Sequence, residues 1–127
     1  MPDDNYKYML ATHPVPSCWA CGRGMNPPDG WFGPWLIERA HIVNSPRRED
    51  RRVVILLCSF CHRIQHGEQL ILPGLESLTL TIREMLWLKK HYDRRYYDRK
   101  FIKANSNYFK GKLPNARRPR WWKESNA

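Results

Sequence analysis

Four cysteines fall into two identical turns, Cys18-Trp-Ala-Cys21 and Cys58-Ser-Phe-Cys61. A CxxC turn presents two thiolates at the separation a tetrahedral cation requires, so two such turns make a complete four-sulfur set. Zinc is the expected ion, and its role is structural, because four thiolates leave no open position for water. Gly22 and Gly24 follow the first pair and let the backbone fold so that amide groups face the sulfurs. Two unrelated turns, or ordinary buried cysteines, would not account for the repeated spacing. The 36 residues between the pairs exceed the short spacing of a zinc ribbon, so a piece of structure is inserted between the two halves.

Three histidines lie in or beside that insert. His62 and His66 follow the second CxxC four residues apart, which puts them on one face of a helix. A neutral imidazole can take a proton or bind a metal, and an i, i+4 pair suits the second use. His41 is left for proton transfer. The bland alternatives are a solvated helix face for His62 and His66 and a backbone-bonded core histidine for His41.

Positioning these groups requires a strand, a charged connection, a second strand and a short helix. Leu36 to Val43 is rich in β-branched and apolar residues and predicts the first strand, after a turn-rich NPPDGWFGP loop. Asn44 to Arg52 contains Pro46 and a run of charge and reads as an exposed connection. Val53 to Leu57 is apolar throughout and predicts a buried second strand. The second CxxC then enters a helix that Gly67 would end. Thr81-Ile-Arg-Glu84 matches a capping box, and Ile82, Met85, Leu86 and Lys89 trace a helical stripe to about Asp93. Tyr96 to Ala104 predicts a further helical turn or two.

The fold class expected is α+β, with this division: an N-terminal arm at 1–16, a core at 17–73, a helical extension at 74–104 and a basic tail at 105–127. Pro114, Pro119 and few aliphatics predict a tail poorly ordered without a partner. Trp121 and Trp122 within it either stack on unpaired bases or fold back onto the core.

With 22 Lys+Arg against 12 Asp+Glu the formal charge is +10, which favours nucleic acid as partner. Arg83 to Lys103 alone holds eight basic and three acidic residues, predicting a positive outer face. Arg39, Arg47, Arg48, Arg51 and Arg52 flank the histidines, as phosphate clamps or as a merely solubilising charge run. No apolar run approaches the roughly 20 residues of a spanning helix, so no membrane span is expected. Asp3 and Asp4 stand where a signal peptide would carry basic charge, so an intracellular, cytoplasmic setting is expected. Oligomeric state is not legible.

Taken in order, CxxC, then Ala40-His41-Ile42 on a strand, then Leu56-Leu57-Cys58 running into CxxCHxxxH, the chain resembles the HNH endonuclease family and its ββα-metal fold. The resemblance covers about residues 17 to 68. It implies hydrolysis of DNA phosphodiester bonds with one divalent metal, Mg²⁺, Mn²⁺ or similar, in addition to the structural zinc. His41 would then be the general base, His62 a metal ligand and His66 a second metal or phosphate ligand, with His41 and His62 facing each other. Such compact nucleases suit a phage or mobile element. Ala40 and Val53 stand where the family places polar help, and strand alternation puts Glu38 on the face opposite His41. A non-catalytic, zinc-stapled nucleic-acid-binding module is the alternative those positions favour.

Overall fold

The computed structural model describes residues 17–42, 51–70, 78–104 and 112–122. The N-terminal arm, Asn44, Arg47, Arg48 and both ends of the tail segment lie outside them.

Strands β1 (Ile37–His41) and β2 (Val54–Cys58) pair antiparallel, in a register that runs from Ile37 opposite Cys58 to His41 opposite Val54. The second strand starts and ends one residue later than its apolar run suggested, because Val53 completes a 3-10 turn at Arg51–Val53. As a result the sheet ends on a cysteine. All five β2 residues are buried, as an unbroken apolar strand requires. An isolated two-stranded sheet is marginal in water, so other segments must cover it. One is the first cysteine turn, whose Trp19 amide donates to the Leu56 carbonyl at 2.9 Å. Helix α1 (Ser59–Gln65) follows β2 without a linker, and Gly67, at φ +94°, turns the chain away after it. The Ser59 hydroxyl accepts from the Leu36 amide at 2.9 Å and ties the helix start to the entry of β1.

Helix α2 (Ile82–Tyr92) opens on the capping box read from the sequence. The Thr81 hydroxyl accepts from the Glu84 amide at 3.3 Å, and the Glu84 carboxylate accepts from the Thr81 amide at 2.9 Å and from the Thr79 hydroxyl at 3.0 Å. Thr81→Ala removes one half of that exchange. It should cost about 1 kcal/mol, read as a lowered urea midpoint with an unchanged slope.

The stripe of α2 is buried at Met85, Leu86 and Leu88, and it includes Lys89, which is fully buried. Its ammonium donates to the Arg51 and Val54 carbonyls, at 2.5 and 2.8 Å, and to Asp93 at 2.8 Å. Asp93 also receives two hydrogen bonds from Arg51, at 3.0 and 2.9 Å. Arg51 was expected on an exposed connection, yet it is 3% exposed, with its guanidinium 4.1 Å from the Tyr96 ring centroid. A buried charge needs a partner, and α2 supplies one. Burial would raise the Asp93 carboxyl, but the hydrogen bond from Arg51 and the charge of Lys89 outweigh it and hold it below its ordinary value.

A second 3-10 turn (Arg94–Tyr96) leads to α3 (Arg99–Ala104). Residues 112–122 then return across α2. Arg99 donates to the Leu113 and Pro114 carbonyls, the Arg117 amide to Arg83, and the Trp122 indole to the Tyr92 hydroxyl at 3.2 Å. Leu113 and Trp122 are buried. Residues 112–122 pack on the core because they carry apolar anchors and their carbonyls meet donors, while the rest of the expected tail at 105–127 lies outside the described residues. Of the two readings of Trp122, folding back is the one observed. Among the described residues the result is a small α+β fold of one two-stranded sheet and three helices. Among the described residues no helix is long and apolar enough to cross a membrane.

Candidate functional site: a sulfur cluster and a histidine cleft

The sulfur atoms of Cys18, Cys21, Cys58 and Cys61 lie within 4.8 Å of one another. Cys21 and Cys58 are 3.7 Å apart, too far for a disulfide and close to the about 3.8 Å expected for two sulfurs sharing a tetrahedral zinc at 2.3 Å. In each turn the amide of the second cysteine donates to the sulfur of the first, at 3.4 Å in both. Those amide bonds favour thiolates. The hydrogen bonds from Cys18 and Cys58 pull the Cys21 thiol well down, while Cys58 and Cys61 are pushed up by hydrogen bonding with Cys18 and Cys21 and by burial. With no cation the cluster therefore keeps part of its protons, and a bound divalent ion would displace them. Four cysteines so placed can hold a structural metal ion. Cys58 has three jobs at once, as sulfur donor, last residue of β2 and N-cap of α1.

The same cap aims α1 across the sheet. His62 and His66, one turn apart on its exposed side, bring their Nε2 atoms to 3.2 Å. Two nitrogens bound to one tetrahedral ion at 2.0–2.1 Å would be about 3.4 Å apart, so the pair is spaced for a shared cation. On the other side of the His62 ring, Nδ1 lies 3.6 Å from Glu38 Oε1. A carboxylate beside one ring nitrogen fixes the tautomer that leaves the other free to ligate. Burial lowers the His62 pKa and His66 adds to this, with Glu38 opposing, so His62 is neutral near pH 7 and ready to donate a lone pair.

Glu38, His62 and His66 line a cleft of about 550 Å³ with Trp31, Phe32 and Arg63. The Trp31 ring stands edge-on to Trp35 and Phe60, and its indole donates to the Pro34 carbonyl at 3.2 Å. Phe32 is 89% exposed at the rim. Arg63 pairs with Glu68 across the mouth.

Of the sequence-derived site residues, the four cysteines come together, and so do His62 and His66. His41 is not among the residues lining the cleft. Alternation along β1 places it with Ile37 and Arg39, while the carboxylate two positions before Ala40 meets His62. Gln65 of α1 donates to the His41 carbonyl at 2.5 Å, so the backbone at the end of β1 is tied to the helix. Glu38 is the partner that sequence reasoning set aside. Its placement opposite His41 was legible, but the face to which α1 delivers His62 was not. Arg51 is enclosed as described, Arg52 lies over the Phe101 ring and 4.0 Å from Asp98, and Arg39 is half-buried on β1. In comparisons with protein-family models, curated proteins and solved structures, nothing matches this chain.

Proposed function

We propose that this protein is a metal-dependent endonuclease of the HNH kind, hydrolysing DNA phosphodiester bonds at the His62–His66 cleft, with zinc in the sulfur cluster. The observation that carries this reading is the convergence of the two Nε2 atoms with a carboxylate behind one of them, at the mouth of a cleft in a chain of net charge +10. His62 and His66 would hold Mg²⁺, Mn²⁺ or a similar ion, which would supply positive charge against the scissile phosphate and leaving oxygen. Glu38, 3.6 Å from His62 Nδ1, favours the neutral tautomer with its proton on Nδ1, which leaves Nε2 to ligate. The resemblance makes His41 the base for the attacking water. His41 sits at the end of β1, outside the lining of this cleft, so its role rests on the resemblance and is what the His41→Ala variant tests. DNA is the proposed partner.

Plasmid relaxation or linearisation across several divalent ions tests this. The parent should cut, His62→Ala and His41→Ala should not, and Glu38→Gln should bind Mn²⁺ about 10–100-fold more weakly. Cleavage by His41→Ala at the parent rate would remove His41 as base. No cleavage by folded parent with any ion would sink the enzyme reading altogether. A second reading is then favoured by Ala40, fully buried where a polar ligand would help, and by the absence of His41 from the cleft. It is a zinc-stapled module that binds nucleic acid without cutting it.

A further inference from the structure

We infer that the C-terminal half of α2 carries a separate binding site for single-stranded nucleic acid, with a phosphate between Lys90 and Arg94 and the adjoining base on the ring stack of Trp87 and His91. A cleft of about 340 Å³ is lined by Trp87, Lys90, His91, Arg94 and Ala116, and no acidic residue lines it. The local charge is more lopsided than composition suggests, because the three carboxylates of this stretch are all engaged. Glu84 caps the helix, Asp93 turns inward to Arg51 and Lys89, and Asp98 accepts from the Phe101 amide and faces Arg52. Lys90 and Arg94 are exposed, and neither has an ion pair among the described residues.

The aromatic half of the site is rigid. The His91 ring stacks on Trp87 with centroids 4.8 Å apart and planes 8° from parallel, and Trp122 and Tyr92 meet it edge-on at 4.9 and 4.8 Å. Yet His91 is exposed. Basic residues in the last turn of a helix also answer the helix dipole, which accounts for the charges alone. It does not account for a concave, pre-stacked ring surface between them. Cations that track a backbone beside an aromatic platform are the chemistry that holds unpaired strands, and the platform needs a base freed from its duplex partner.

This inference stands without the hydrolysis reading, and its test separates the two. Full-length zinc-loaded protein carrying His62→Ala, free of other divalent ions, is titrated into fluorescein-labelled oligothymidylate and into a duplex of equal length, read by anisotropy over a range of salt. Lys90→Glu/Arg94→Glu should weaken single-strand binding and lower the salt slope by about 0.7, the share of the one phosphate they hold. His91→Ala should cost about tenfold in affinity, and His91→Phe, which keeps a ring, should restore it. Thermal melts matching the parent confirm folding; if the double variant melts early, the two His91 variants decide. Failure of the parent to bind, equal affinity for the duplex, equal affinity for polyglutamate, or wild-type binding by both His91→Ala and the double variant would each overturn it.

Discussion

Asp93→Ala should lower stability by about 3–5 kcal/mol, because it strips two buried cations of the carboxylate they share. Lys89 is wholly buried and the Arg51 side chain 3% exposed, so neither can turn to water for compensation. Against a typical total of about 5–15 kcal/mol this is a large fraction. The shift in urea midpoint, followed by tryptophan fluorescence, should be about 2 M. The pH dependence carries a definite sign. The Asp93 carboxyl is held below its ordinary value in the folded state, so its contribution is complete above the ordinary carboxylate range and is lost as pH falls through the depressed folded value. Parent protein should lose stability in acid over that window, and Asp93→Asn should lose this component while being weak already at neutral pH. A midpoint within experimental error of the parent for Asp93→Ala would show that the network is not the clamp the geometry describes.

Cys58→Ser should be the more damaging change. It removes one sulfur from the cluster while the serine hydroxyl keeps the N-cap of α1 and the backbone keeps the last ladder position of β2, so the damage reports the lost ligand. Because structural zinc affinity in small domains is folding free energy, on the order of 10–16 kcal/mol in zinc-finger peptides, loss of one ligand should leave a chain without a cooperative thermal transition. Zinc released by a thiol-reactive mercurial and counted with a chromogenic chelator should come to one ion per chain in the parent and none in the variant. A metal-free parent that keeps its near-ultraviolet circular dichroism and melting temperature would refute the structural role.

The parts of this fold legible in the sequence are those set by local rules. Paired CxxC turns, the Thr81–Glu84 capping box and Gly67 after α1 each depend on residues a few positions apart, and each is found where the residues predicted it. What escaped depends on distant segments meeting. Arg51 reads as one more charge in a polar connection until Asp93, 42 positions away, is brought beneath it. Lys89 fits the apolar stripe only because two backbone carbonyls and a carboxylate converge on its ammonium. Trp122 reads as part of a basic tail until Tyr92 receives its indole. Glu38 was seen and placed on its correct strand face, but the crossing of α1 over that face is a tertiary fact.

Trp19, Tyr92 and Trp122 form a ladder that joins three remote parts of the chain. Trp19 stacks on Tyr92 with centroids 5.4 Å apart, and the hydroxyl of Tyr92 takes the indole proton of Trp122. Hairpins and single helices close within microseconds, but a contact among three distant segments must wait until the intervening loops have paid their closure entropy. A contact of that kind is expected to assemble late in folding. Interactions formed that late govern how slowly the native state comes apart more than how quickly it is reached. On that expectation the ring ladder would act as a latch, lengthening the lifetime of a fold whose sheet has two strands among the described residues.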